Sequence, residues 1–214
     1  MKKKEEIEKM NRLYRLIYPI VRFFLAFWHP FLKVDGRENI PETGCLICGN
    51  HSALSDPIWV AFAMGMKRPL RIMAKKELMD VPVLGKLLAA IGVFAVDRGH
   101  SDIAAVKTAL GYLKSGEYLL VFPEGHRMKH GREQAKSGCA MFATRTDSLV
   151  LPVYVQTKKQ PFRRLHLVIG APYRMEYAGR KATSEELQKL TDEMMDKIYA
   201  LGEAAGVPGA GTCA

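Results

Sequence analysis

The chain has 214 residues, of which 48% are hydrophobic, so it can bury a sizeable core and we expect no extensive disorder. Its 32 basic residues exceed its 22 acidic ones, and the formal charge of +10 predicts an anionic partner such as a phosphate ester, an acidic carrier, anionic lipid or nucleic acid. Four cysteines are typical of a reducing compartment in a chain of this length, and no apolar run reaches the roughly 18–20 residues of a spanning helix.

The N-terminal segment, residues 1–32, carries apolar side chains at steps of three and four, which predicts an amphipathic helix. Pro19 is expected to divide it into a helix pair. Arg12, Arg15 and Arg22 interrupt the apolar stripe, so we expect the segment to lie in an anionic membrane surface and not to cross the bilayer. The alternative is that the stripe packs against the protein's own sheet. No small-residue cleavage site follows, so we do not expect a secretory signal.

The next feature is a histidine, His51, five residues before an aspartate, Asp56. Residues five apart point away from each other in a helix or a strand, so only a turn brings them together. Asp56 and Pro57 are predicted to be the N-cap and first position of a helix that ends at Gly65. An imidazole oriented by a carboxylate can take a proton from a hydroxyl group. The alternative is that Asp56 only caps the helix and His51 only completes a loop.

The rest of the chain alternates between apolar strands and amphipathic helices. The predicted strands cover residues 45–48, 71–74, 93–96, 118–122, 149–155 and 165–169, and further helices cover residues 81–91, 103–113, 138–146 and 184–201. This pattern predicts an α/β fold with a largely parallel central sheet flanked by helices over residues 33–205. Residues 206–214 are expected to form a flexible tail. Cys45 and Cys48 lack a second ligand pair and are expected to pack in the core.

Polar clusters follow three of the predicted strands. They are Asn50 and His51, then Asp97, Arg98 and Gly99, and then Glu124, Gly125, His126 and Arg127. Ligands gather at the carboxyl ends of the strands in such sheets, so we expect one pocket to hold all three clusters. Planar arginine side chains suit phosphate groups, and the glycines allow backbone amides to approach an anion. The alternative is that both arginines are solvated or pair with neighbouring carboxylates.

Four sequence blocks carry a resemblance to a known family. They are Asn50-His51 with Asp56, Phe94-Ala95-Val96-Asp97-Arg98-Gly99, Phe122-Pro123-Glu124-Gly125-His126-Arg127 and Val150-Leu151-Pro152-Val153. In this order, within about residues 33–172, they resemble the glycerolipid acyltransferases of the phosphatidate-synthesising type, the 1-acyl-sn-glycerol-3-phosphate acyltransferases. The family usually has a small residue where this chain has His126.

The resemblance implies that His51 is the general base and that Asp56 is its partner. It also implies substrate-binding residues around the acceptor's phosphate, namely Lys75, Arg98, Glu124, Gly125 and Arg127. The expected reaction moves a fatty acyl group from acyl-CoA or acyl carrier protein to the free hydroxyl of lysophosphatidic acid. Backbone amides near Gly125 are expected to stabilise the oxyanion. We expect no metal and no cofactor, because the thioester is already activated and the Asp, Glu and His residues do not cluster at metal spacings.

The expected partners are therefore an acyl donor, a lysophospholipid acceptor and an anionic membrane surface on the cytoplasmic face of the cell membrane. No nucleic-acid motif is present, so we expect no nucleic-acid partner. Three alternatives stay open: an acyltransferase for another lysolipid or glycerol-3-phosphate, a hydrolase that activates water, and a non-catalytic basic membrane-surface module.

Overall fold

The computed structural model describes residues 2–97, 102–125, 135–179 and 181–210. Within these ranges the strands are β1 (Leu32–Asp35), β2 (Leu46–Gly49), β3 (Leu70–Lys75), β4 (Val93–Val96), β5 (Tyr118–Val121), β6 (Val150–Val155) and β7 (Leu165–Ile169). The helices are α1 (Lys2–Trp28), α2 (Asp56–Met64), α3 (Lys76–Met79), α4 (Leu84–Ala90), α5 (Ile103–Lys114), α6 (Gly138–Thr146) and α7 (Ser184–Ala204). A short 3-10 turn, Arg37–Asn39, follows β1.

The strands form a sheet with the order β1-β7-β6-β2-β5-β3-β4. Neighbouring strands are parallel except for the antiparallel pair β6 and β7. Every residue of β2, β5, β6 and β7 is buried, which agrees with a sheet covered on both faces. The predicted α/β fold with a largely parallel sheet is confirmed.

Side chains alternate between two core layers along the strands. Ile47 of β2 belongs to the layer formed with α1 and α2, whereas Leu46 and Cys48 belong to the layer formed with α5, α6 and α7. Cys45 and Cys48 are buried free thiols in opposite layers, so their predicted core packing is confirmed. Because helices cover both faces, a site can open only at an edge of the sheet.

Several elements differ from the sequence-based prediction, and one of them, the short helix α3 (Lys76–Met79), was not predicted. β1 was not predicted because it is a short strand that pairs with β7 alone and carries the charged residues Lys33 and Asp35. The helix predicted over residues 81–91 begins only at Leu84, because a turn with Val83 at a φ of 64° precedes it. Most other predicted strands and helices lie within one or two residues of the observed bounds.

Helix α1 is continuous through Pro19, so the predicted division into a helix pair is wrong. Tyr14, Tyr18, Val21 and Leu25, at steps of four, three and four, pack against the core layer that contains α2. This packing offsets the hydrogen bond that a proline removes. This face of α1 therefore packs on the protein's own core, which the sequence analysis gave as the alternative to membrane binding.

The other face of α1 leaves large apolar side chains in solvent. We call this set the apolar patch, and it consists of Leu16, Ile20, Phe23, Phe24, Phe27, Trp28, Phe31 and, from the loop between β6 and β7, Phe162. Phe162 contacts both Phe27 and Trp28, with ring centroids 5.8 and 6.0 Å apart. Over the described ranges, no helix combines the length and the hydropathy needed to span a bilayer.

The C-terminal part of the chain packs on the core. The capping box predicted at the start of α7 is confirmed, since Thr183 and Glu186 exchange side-chain and backbone hydrogen bonds. Val207 and Ala210 are buried against the layer that contains α7. Residues 206–210, which their composition placed in a flexible tail, are therefore part of the folded domain.

Candidate active site

The site begins where β2 ends. The next residue, Asn50, is fully buried, and its side-chain amide donates to the Val155 carbonyl at 2.8 Å and accepts from the Val155 N–H at 2.7 Å. Both hydrogen bonds join the carboxyl end of β2 to the end of its neighbour β6. His51 therefore leaves the sheet at a fixed point.

The turn predicted between His51 and Asp56 is present. His51 Nδ1 lies 3.0 Å from Asp56 Oδ2, and the same oxygen accepts the N–H groups of Ser52 at 2.6 Å and Ala53 at 2.7 Å. The predicted N-cap is wrong, because Ser55 precedes the helix and Asp56 is its first residue. The Asp56 carboxylate instead binds the loop amides before α2, which offer better-placed donors than the helix itself.

The charge state of Asp56 fixes the tautomer of His51. Burial raises the pKa of the Asp56 carboxyl, but the hydrogen bond from His51 and the nearby charge of Lys159 outweigh burial and hold the pKa below its usual range. An ionised carboxylate can only accept, so His51 Nδ1 carries the proton. The Nε2 atom is left with a free lone pair, and the Phe122 ring stacks on the imidazole at 4.3 Å.

Lys159 is a member of this cluster that the sequence analysis missed. Its Nζ lies 2.7 Å from Asp56 Oδ1, and its side chain is 10% exposed. The same ammonium donates to Ser52 Oγ at 2.8 Å and to the Gln156 carbonyl at 2.7 Å. Lys159 follows β6, 107 residues after Ser52, so no local spacing indicates the contact.

Glu124 has a different place from the predicted one. It was expected beside the acceptor's phosphate, but it is fully buried. One carboxylate oxygen accepts the His51 N–H at 2.9 Å, and the other accepts the Tyr199 hydroxyl of α7 at 2.7 Å. Both carboxylate oxygens bind protein groups, and through the His51 N–H Glu124 fixes the backbone of His51.

A cavity of about 220 Å³ lies between the carboxyl ends of β4 and β5 and helices α5 and α6, and it is lined by Phe122, the residue that stacks on His51. Phe122 and Asp97 line it, and so do Gly125 and Lys136. Gly125 has a φ of +71°, which favours glycine. The Gly125 N–H donates to the Phe122 carbonyl at 3.0 Å, so this particular amide is not available for an oxyanion.

The structure brings together some of the predicted residues and not others. His51, Asp56 and Glu124 are in direct contact, and Gly125 lines the adjoining cavity. Lys75 ends β3 with its side chain 54% exposed and forms an ion pair with Glu77 at 2.7 Å. Arg98, Gly99, His126 and Arg127 lie outside the described residues.

Known proteins similar to this chain are acyltransferases. The family model named Acyltransferase matches residues 31–156, which is more than half of the chain. A 1-acyl-sn-glycerol-3-phosphate acyltransferase of Pseudomonas aeruginosa is 35% identical over 194 residues, covering 82% of this chain and 73% of that protein. A protein of the same name from Bacillus subtilis is 28% identical over 176 residues, covering 79% and 87%.

A solved structure supports the fold. The crystal structure of a 1-acyl-sn-glycerophosphate acyltransferase from Thermotoga maritima superposes with a TM-score of 0.66 at 22% identity, covering 96% of this chain and 83% of that chain. The region matched by the family model includes the His51–Asp56 pair and Glu124, whereas Lys159 lies beyond it.

The contacts of Asp56 predict a large and pH-dependent stability loss in Asp56→Asn. The change leaves the Lys159 ammonium buried without a counter-charge, so we expect the free energy of unfolding to fall by about 3 kcal/mol at pH 7. The folded-state pKa of Asp56 is lowered, so the ionised carboxylate stabilises the unchanged chain at pH values above its unfolded pKa of about 4. This stabilisation, and with it the difference from Asp56→Asn, is lost as the pH falls through the folded-state pKa.

Urea unfolding at several pH values measures this difference. Asp147→Asn is the matched control, because Asp147 forms its ion pair with Arg174 on the surface. The control is expected to change stability much less. An Asp56→Asn protein as stable as the control at pH 7 would contradict the assignment.

Proposed function

The chain belongs to the acyltransferase family, and on that premise we propose that it transfers a fatty acyl group from a thioester to the free hydroxyl of lysophosphatidic acid. The observation that supports the proposal is the His51–Asp56 pair, whose imidazole stacks on Phe122, a residue that lines a cavity at the carboxyl edge of the sheet. The names of the relatives support the acceptor, and either acyl-CoA or acyl carrier protein is proposed as the donor.

The reaction needs one proton carrier and no covalent enzyme intermediate. His51 Nε2 takes the proton of the acceptor hydroxyl as its oxygen attacks the thioester carbonyl carbon. The carbon–sulfur bond then breaks, and the departing thiolate takes the proton from His51. Asp56 keeps the imidazole in the required tautomer and stabilises the imidazolium that forms during the attack.

The acceptor's phosphate is proposed to bind in this cavity at the carboxyl edge of the sheet. Arg98 and Arg127, with Lys75, are the cations that the family resemblance assigns to it. Asp97 directly precedes Arg98 and lines the cavity, and Gly125 lies there two residues before Arg127. Lys136 is a further candidate that the sequence analysis did not single out, since it lines the same cavity.

The first prediction is that His51→Ala loses acyl transfer while the fold is retained. Removal of a general base lowers the rate by about 100- to 10,000-fold. Release of free thiol from acyl-CoA and from acyl carrier protein is measured with and without lysophosphatidic acid. His166→Gln is the control, because His166 also pairs with an aspartate, Asp35, at 2.7 Å but lies on β7.

The same assay separates the alternatives. A hydrolase consumes thioester without an acceptor, a non-catalytic module consumes none, and an enzyme for another lysolipid responds to a different acceptor in the panel. Near-normal turnover by a folded His51→Ala protein refutes the mechanism.

The second prediction concerns the phosphate. A charge-assisted hydrogen bond contributes about 1.5–3 kcal/mol, so Arg127→Ala is expected to raise the KM of the acceptor by about ten- to a hundredfold and to change the donor's KM little. Lys114→Ala, an exposed cation at the end of α5, serves as the control. Equal losses for donor and acceptor would assign Arg127 to donor binding or to the fold.

We further propose that the apolar patch rests on an anionic membrane surface, because both the substrate and the product keep acyl chains in lipid. Arg163 and Arg164 are exposed beside Phe162 and suit anionic head groups. Arg22 does not contribute to this surface as the sequence suggested, since its guanidinium lies over the Phe62 ring at 5.6 Å. The membrane face is proposed to be the cytoplasmic one.

The third prediction is that Phe24→Ser combined with Phe27→Ser weakens membrane binding. Both rings are about 70% exposed, and burying a phenylalanine side chain is worth about 1.5–3 kcal/mol, so partitioning should fall by about a hundredfold. Flotation with phosphatidylcholine vesicles, with and without phosphatidylglycerol, measures it. Met66→Ser, an exposed apolar residue just beyond the C-terminal end of α2, is the control.

Point substitutions are preferable to truncation here, because the opposite face of α1 packs on the core and its removal would unfold the protein. Undiminished flotation of the folded double variant would show that the protein binds membranes elsewhere.

A further inference from the structure

Lys159 is held more tightly than a surface lysine. Its side chain is 10% exposed, and its ammonium lies 2.7 Å from Asp56 Oδ1, 2.8 Å from Ser52 Oγ and 2.7 Å from the Gln156 carbonyl. The contacts with Ser52 Oγ and the Gln156 carbonyl are hydrogen bonds, and the contact with Asp56 Oδ1 is an ion pair. Because three protein oxygens hold the ammonium, we expect its effect on the reaction to pass through Asp56 and the loop that carries Asp56.

The loop that carries Lys159 is fixed on both sides. The Gln156 side chain donates to the Lys158 carbonyl and accepts from the His166 N–H, which joins the start of the loop to the start of β7. Farther along, the Phe162 N–H donates to the Trp28 carbonyl at 2.6 Å. Because the backbone is already ordered, the lysine loses less conformational freedom when it binds Asp56.

The ammonium also alters the electrostatics of the imidazole. The His51 ring contacts one oxygen of the Asp56 carboxylate, and the Lys159 ammonium offsets the negative charge from the other oxygen. Among the residues that the structure describes, charged neighbours of this edge are Glu124, which accepts the His51 N–H and the Tyr199 hydroxyl, and Lys136 beside Gly125. With Lys159 in place, the buried Asp56–Lys159 ion pair carries no net charge next to the imidazole.

We propose that Lys159 is a positioning residue that completes a His51–Asp56–Lys159 triad, holding the carboxylate in place and countering its negative charge beside the imidazole. The link to acyl transfer rests on the function proposed above, whereas the effect on the imidazole does not. The alternative is that Lys159 only neutralises a buried carboxylate and has no influence on the base.

Two measurements on Lys159→Met test the proposal. The first is an NMR titration of the His51 ring, which needs no substrate. The His51 signal is assigned as the one that is missing from the spectrum of His51→Gln. We expect the titration midpoint to rise by about one pH unit, because a neighbouring positive charge has been removed. Lys159→Arg keeps the charge and is expected to keep the midpoint. Lys158→Met is the control, since Lys158 is exposed and only its backbone carbonyl contacts Gln156.

The second measurement is the pH profile of acyl transfer. If the His51 midpoint of Lys159→Met is one pH unit higher, kcat/KM should be about tenfold lower than in the unchanged chain at pH values near and below the new midpoint. At higher pH the activity of the variant should approach that of the unchanged chain. The KM values of both substrates should change little. Lys159→Arg should restore the profile even if Lys159→Met proves too unstable to assay.

Three results would overturn the proposal. They are an unchanged His51 midpoint in folded Lys159→Met, a Lys159→Arg profile that differs from that of the unchanged chain, and a loss confined to the KM of the acceptor. If lysophosphatidic acid is not the acceptor, the unchanged chain and all variants will show no acyl transfer to it. The NMR titration will still show whether Lys159 affects the His51 midpoint. The two failures are thus distinguishable.

Discussion

The candidate active site depends on one buried charge, the Asp56 carboxylate. An uncompensated carboxylate in a protein interior costs several kcal/mol. Four groups compensate it here: the amides of Ser52 and Ala53, the ring of His51 and the ammonium of Lys159. These donors come from the loop between β2 and α2 and from the loop after β6. The contacts that make a buried charge tolerable therefore also fix the loop and orient the imidazole.

The groups that support this loop come from strands that neighbour β2 in the sheet and not in the sequence. β5 ends beside β2 and brings Glu124 to the backbone of His51, while α7 supplies Tyr199 to the same carboxylate. On the other side, β6 brings Val155 to Asn50 and is followed by Lys159. Parallel strands place their carboxyl ends at one edge, so short side chains reach across neighbouring strands.

The sequence predicted the features that leave a local pattern. Apolar runs marked the buried strands, and the spacing of His51 and Asp56 required the turn that the structure contains. It did not predict the role of Lys159 or Tyr199, because contacts made by tertiary packing leave no period in the sequence. The contact of Glu124 with the His51 backbone was missed for a related reason: its position shows that it follows a strand, but not which way its side chain points.

The antiparallel pair β6 and β7 has a consequence for the proposed membrane surface. β7 begins at the edge where β6 ends, which is also the edge from which His51 leaves β2. β1 is parallel to β7 and begins at the same edge, so α1, which precedes β1, ends there too. The contacts of Phe162 with Trp28 bring the apolar patch to this edge. A single reversal of strand direction thus sets the patch beside the site, as a substrate whose acyl chain stays in lipid requires.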